Sequence, residues 1–294
     1  MIIACIDYWV KENPTLATII ISLTVFFLGI LFQFFYHKYQ KNTERKSIRE
    51  SYLLKMKEII YKTGNKAKAL QEFYPSITFE RNSSTVFKNI VIPFINGIIK
   101  NDSHIYVTSF SAGISKKGKN DLLIAFFDSW SAFETLSVVE TEIRNNFEIF
   151  KKQRSILESD FFNIKNDIIV EWNSIMQKET LHKPEKIDLL KKEYIENVTR
   201  IFKDFSNLND ADAYRVDLSY SVLLLPLMQA NNEALQIVEQ KFFKMLLNAI
   251  SIYRQLDSLY KTNYKTFENY CKLYEECSNT LTMCYEVIVG KRMN

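Results

Sequence analysis

Glycine is nearly missing from this chain: six in 294 residues, and none between Lys119 and Val289. Tight hairpin turns, phosphate loops and open α/β sheets draw on glycine far more often, so that stretch reads as helix. Proline is as sparse there, with only Pro184 and Pro226 to punctuate it. The cysteines, Cys5, Cys271, Cys277 and Cys284, are too few and too unevenly placed for a disulfide framework. Three of them recur at six and seven residues along one helical face, a spacing that suits packing and not thiolate ligation of a metal. Histidine is limited to His37, His104 and His182, none within a recognisable site.

Other signatures are absent as well. There is no His-Glu-x-x-His, Cys-x-x-Cys or Gly-x-Ser-x-Gly, and no Arg followed by His at the spacing used by helical RNA-cleaving domains. No cofactor or metal is implied by any motif. The net charge of +4 lacks the basic field that nucleic-acid binding requires, so no nucleic-acid partner is expected. The clusters Lys116, Lys117, Lys119 and Lys151, Lys152, Arg154 read as solvated faces.

What the chain does have is an uncharged run from Thr15 to Tyr36, in which fourteen of the twenty-two residues are Leu, Ile, Val or Phe. As a helix this run is roughly 33 Å long at about 1.5 Å per residue, enough for the hydrocarbon core of a bilayer. At about 0.3 to 0.6 kcal/mol for each central apolar residue, insertion is favoured by roughly 4 to 8 kcal/mol, offset in part by Gln33 and the hydroxyls of Thr15, Thr18, Ser22 and Thr24. A cleaved signal peptide needs positive charge before a shorter apolar region, and here the charge follows it. Only Asp7, Lys11 and Glu12 precede the run, whereas Lys38, Lys41, Arg45, Lys46 and Arg49 come after it. The positive-inside rule therefore places the N-terminus outside and the C-terminal bulk in the cytoplasm. Tyr8 and Trp9 on one side, and Phe35, Tyr36 and Tyr39 on the other, suit the two interfaces.

The expected organisation is a short extracytoplasmic N-terminus (1–14), a transmembrane helix (15–36), a juxtamembrane stalk helix (37–64) and a cytoplasmic helical domain (65–294). Ile48, Tyr52, Met56 and Ile59 give the stalk a narrow apolar stripe. The region from Glu72 to Gly118 is the least regular and leaves room for one short strand at Ile105 to Thr108. Leu122 to Phe133 and Leu157 to Ile175 mark two helices, Lys183 and Pro184 a turn, and Ile187 to Phe205 another helix. Asn209 or Asp210 is placed to cap the helix that follows. Leu218 to Ala230, uncharged after Leu218 and too short to span a bilayer, reads as a core helix.

The cleanest periodicity is Leu235, Val238, Phe242, Met245, Ala249, Ile252, Leu256 and Leu259, a 3,4 series typical of coiled-coil packing. A second series, Phe267, Tyr270, Tyr274, Cys277, Leu281, Cys284 and Ile288, starts out of phase with it. That shift predicts a hairpin turning near Lys261 to Asn263. The fold class expected is mainly α, with long coiled-coil-like helices.

Three constellations invite chemical readings. Gly113 to Asn120 approaches the phosphate loop Gly-x4-Gly-Lys-Ser/Thr through Gly113, Gly118 and Lys119, but Asn120 stands where the magnesium-binding hydroxyl belongs. A basic turn between helices accounts for the same residues. Asn207, Asn209, Asp210, Asp212 and Asp217 lack the central glycine of a calcium loop and read as capping and solvation. Asp167 and Glu171 share a helix face and read as solvating it.

The expected function is a membrane-anchored helical interaction protein of a bacterial inner membrane, a scaffold, sensor or adaptor that binds another protein or itself. By association, its composition suits a phage-defence or other accessory system. The alternatives are a self-assembling, membrane-permeabilising effector, and a nucleotide-binding enzyme using the degenerate loop at 113–120.

Overall fold

The helix-forming composition is realised almost throughout. The computed structural model describes residues 12–78, 90–100, 103–111, 116–181, 189–234 and 239–293, and among them there is no strand. Three long helices dominate: α1 (Pro14–Phe73, ending in a 3-10 turn at Tyr74–Ser76), α4 (Lys116–Leu181) and α9 (Gln240–Met293). Shorter elements join them: α2 (Ile95–Ile99), α3 (Ser103–Ser111), α5 (Leu189–Ser206), α6 (Asp210–Ala213), α7 (Val216–Leu218), a π-helical turn (Ser219–Leu224) and α8 (Leu225–Glu233).

The long helices share one cause. On α1, Tyr52, Met56, Ile59, Thr63, Lys66, Leu70 and Phe73 alternate at four and three residues, and every one is buried. On α9 the buried line runs through Phe242, Leu246, Ala249, Leu256, Tyr260, Phe267, Tyr270, Tyr274, Cys277, Leu281, Cys284 and Ile288. On α4 Leu122, Phe126, Ser129, Phe133, Leu136, Ile143, Phe150 and Phe161 follow the same rhythm. A sustained period of 3.5 residues keeps one stripe of each helix inward.

Two units divide the chain. Unit one holds residues 1–59, 93–131 and 280–294. Its centre is Tyr52, whose ring meets those of Tyr106, Phe126 and Phe110 at centroid distances of 4.8, 5.3 and 5.7 Å. The Tyr52 hydroxyl lies 3.2 Å from Ser129 Oγ, and Arg49 Nε donates to the Ser109 carbonyl at 2.6 Å. Unit two holds residues 60–92 and 132–279. There α1 and α4 run parallel, since Lys66 meets Glu140 and Phe73 meets Phe147. The α9 segment runs antiparallel to both, with Phe267 against Phe73 and Phe147, Tyr260 against Phe150, and Phe242 against Trp172.

Residues 18–44 of α1 are exposed on every face. Leu28, Phe32 and Phe35 are 59%, 72% and 62% accessible, and a Cβ built on Gly29 would meet nothing within 4 Å. By length and composition α1 can cross a membrane. The α4 helix passes the same test, but 44% of its most apolar window is already covered by protein against 6% for α1. Thr18 and Thr24 donate their hydroxyls to the carbonyls of Pro14 and Ile20 at 2.8 and 2.7 Å, which lowers the polar cost charged to them from sequence.

The structure corrects three expectations. Ile105 to Thr108 lies within helix α3, where its β-branched residues are tolerated because Tyr106 and Phe110 need helical spacing to reach Tyr52. The two helices expected at Leu122–Phe133 and Leu157–Ile175 are one helix, α4, with no glycine or proline between to break it. The hairpin at Lys261 to Asn263 does not form, for α9 continues through it. The apparent phase shift arose from reading Leu259 as the inward residue. Tyr260 is the buried one, and Tyr260 to Phe267 is one whole heptad.

Other expectations hold. Asn209 caps α6, its Oδ1 accepting from the Asp212 N–H at 2.9 Å. Leu223, Leu224, Leu227 and Ala230 are buried as core. Pro226, which cannot donate to the helix ladder, follows the π-helical turn that opens it. Lys183, Pro184, Leu235 and Val238 lie outside the described residues.

Core truncation tests the continuous seam. Phe267→Ala should destabilise the protein by about 3–5 kcal/mol, whereas Met283→Ala, 61% exposed on the same helix, should stay within about 0.5 kcal/mol by denaturant midpoint.

Candidate functional site

The heptad seam of α1 places two polar residues where apolar ones are the rule. Thr63 and Lys66 are both completely buried, between Met56 and Ile59 before them and Leu70 and Phe73 after. Burying an ammonium without a partner would cost several kcal/mol, so a counter-charge must reach it. Glu140 on α4 does, its Oε1 accepting from Lys66 Nζ at 2.6 Å. The same oxygen accepts from the Tyr274 hydroxyl of α9, also at 2.6 Å. Lys66 Nζ also lies 5.4 Å from the centroid of the Tyr274 ring, within cation–π range. One layer thus draws a side chain from each of the three long helices. Its neighbours are polar as well: Cys271 Sγ donates to the Ala67 carbonyl at 3.4 Å, and Asn146 donates to the Tyr270 hydroxyl. Thr63 Oγ1 is buried without a hydrogen-bond partner among the described residues.

Burial sets the electrostatics of this layer. Desolvation pulls the Lys66 pKa down, and the hydrogen bond and charge of Glu140 oppose it. The Tyr274 hydroxyl is pushed far up, first by burial and then by the Glu140 charge beside it, so it stays a donor. Desolvation lifts the thiols of Cys271, Cys277 and Cys284 to about 11 each. These thiols are packed, as their spacing predicted.

Lys165, further along α4, forms a second buried cationic site. Its Nζ donates to the Ala213 carbonyl at 3.0 Å, at the end of α6. The rings of Phe162, Tyr214 and Phe205 stand 4.8, 5.3 and 5.4 Å from it. Burial lowers its pKa too. Ser219 donates to the same carbonyl at 3.0 Å, so this pair ties the short segment after α5 to α4.

A groove of about 630 Å³ runs beside α9 in unit two, lined by Ile77, Thr78, Asp217, Tyr260, Tyr264 and their neighbours. Its three carboxylates are matched locally: Asp217 with Arg215 at 2.6 Å, Asp257 with Lys261 at 2.7 Å, Glu268 with Lys272 at 2.8 Å. The groove suits an apolar side chain better than a strongly charged ligand.

Of the residues singled out in the phosphate-like loop, Gly113 lies outside those described. Gly118 and the exposed Lys119 sit in the first turn of α4, and the described element before them is helix α3 rather than the strand such a loop follows. Glu171 pairs with Lys241 of α9. Among the described residues no three His, Cys, Asp or Glu side chains are grouped to hold a metal. No protein-family model, curated protein or solved structure matches the chain.

Sequence reasoning passed over the polar layer. The signal was there, for continuing the stripe of Tyr52, Met56 and Ile59 by alternating fours and threes lands on Thr63 and Lys66 before apolar residues resume.

Two measurements check these assignments. Lys66→Ala, which leaves Glu140 without its cation, should cost about 3–5 kcal/mol, against about 0.5–1.5 kcal/mol for Tyr274→Phe. A thiol lifted from 9.0 to about 11 holds about a hundredfold less thiolate at pH 8, so iodoacetamide should label Cys271, Cys277 and Cys284 at least that much more slowly in the native protein than in denaturant. Because these folded-state pKa values are raised, the thiols' contribution to stability is complete below pH 9 and is lost as pH rises toward 11. The denaturant midpoint should fall across that window, and less steeply once the three cysteines are replaced by alanine.

Proposed function

We propose that this is a membrane-anchored helical interaction protein: α1 crosses a bacterial inner membrane once, N-terminus outside, and presents a cytoplasmic helical domain that binds another protein or a second copy of itself. The observation that carries the reading is the all-round exposure of residues 18–44 on a helix whose residues 15–36 are uncharged and mostly Leu, Ile, Val and Phe. A surface that apolar, larger than the few hundred Å² a soluble monomer exposes, needs a cover, and a bilayer matches its length. The basic residues just after it support the orientation.

Fractionation of the full-length protein tests the anchor. The native chain should remain with membranes after alkaline carbonate extraction. The double variant Leu28→Arg, Phe32→Arg should be released, since two central arginines cost roughly 5–7 kcal/mol against the roughly 4–8 kcal/mol that favours insertion. A native chain found in the supernatant would end the proposal. Chemical cross-linking in those membranes then reads the partner: one stoichiometric protein would mark an adaptor, and a ladder of self-adducts an assembly of copies.

A further inference from the structure

Three helices that repeat every seven residues share a weakness. Slip one past another by a heptad and apolar residues again meet apolar residues, so the seam alone does not choose among registers. In unit two, a slip of α1 along α4 would set Lys66 against Phe133 or Phe147, both of which occupy the position equivalent to Glu140 one heptad away. It would bury the ammonium beside an aromatic ring and leave Glu140 without its cation. Only one register joins Lys66 Nζ, Glu140 Oε1 and the Tyr274 hydroxyl, and it does so with two 2.6 Å bonds converging on one oxygen.

We infer that the Lys66–Glu140–Tyr274 layer is a register lock: it selects the axial alignment of α1, α4 and α9 and does not add to their net stability. Burying an ion pair is near break-even against apolar residues of similar size, whereas splitting one is strongly unfavourable. The layer therefore acts by penalising the slipped alignments. Within unit two the alignment chosen at Lys66 is the alignment of the α1 segment from Ile60 to Phe73.

Cys271 supplies the readout. Its Sγ is 3.4 Å from the Ala67 carbonyl, so a cysteine at position 67 should form a disulfide with it in the native register. A one-heptad slip would carry Cys271 to position 60 or 74 instead. The experiment uses the full-length protein in membranes, with Cys5, Cys277 and Cys284 changed to alanine and one of Ala67→Cys, Ile60→Cys or Tyr74→Cys added. With the layer intact, oxidation should couple Cys271 to position 67 alone, at least tenfold over either alternative.

In the triple variant Lys66→Met, Glu140→Leu, Tyr274→Phe the protein should stay folded, with an unfolding midpoint equal to or above the parent's, and coupling should spread to position 60 or 74. The exchanged pair Lys66→Glu, Glu140→Lys should restore coupling at position 67. Coupling that stays confined to position 67 in the triple variant overturns the proposal. So does failure of the triple variant to fold, because the layer would then be needed for folding itself and not for register.

Discussion

Lys66 puts an ammonium at the centre of a seam that is otherwise aliphatic and aromatic, and the packing of unit two depends on Glu140 meeting it there. A charge taken out of water at that depth loses solvation worth several kcal/mol, and recovers it only through short, well-directed contacts. Both contacts are supplied by other helices, so neither α4 nor α9 can move along α1 without stranding a charge or a phenol. Apolar contacts outnumber this one interaction greatly, but they are repeated every heptad and so are weak in choosing position. The geometry of the ion pair is unique.

The same logic explains why so few residues break the helices. Glycine and proline would interrupt the 3.5-residue rhythm, and α4 and α9 contain neither across nearly all of their length. Where the rhythm does change, the cause is local. Pro226 follows a π-helical turn, Asn209 caps a four-residue helix, and Lys165 reaches from α4 to the last carbonyl of that helix with the rings of Phe162, Phe205 and Tyr214 around its ammonium. The short helices carry the irregularity that the long ones exclude.

How much of this was legible in the sequence depended on residue type. Apolar residues with clear periodicity declared themselves: Phe267 to Ile288 on α9 are buried as their spacing implies, and so are Val198, Ile201 and Phe205 on α5. Amphipathic residues did not. Tyr260 looks like a surface residue beside Leu259, yet its ring packs on Phe150 while its hydroxyl reaches Glu158 at 2.8 Å, and mistaking that choice turned a straight helix into a hairpin. Lys66 drew no reading from sequence, because a lysine at a seam position is rare without a partner and its partner lies seventy-four residues away. The phosphate-like loop drew notice through one-dimensional spacing alone, whereas the polar layer exists only after three distant segments have been brought together.

Through unit two α9 is one uninterrupted helix running antiparallel past the Lys66–Glu140 layer. The most direct measurement is the distance between spin labels at positions 244 and 276 of the full-length protein, both exposed and both in unit two. A continuous helix separates them by about 48 Å at 1.5 Å per residue, and that is the expected distance. A distribution centred near the roughly 10 Å spacing of packed neighbouring helices would mean that the chain turns back at Lys261 to Asn263, and would contradict it.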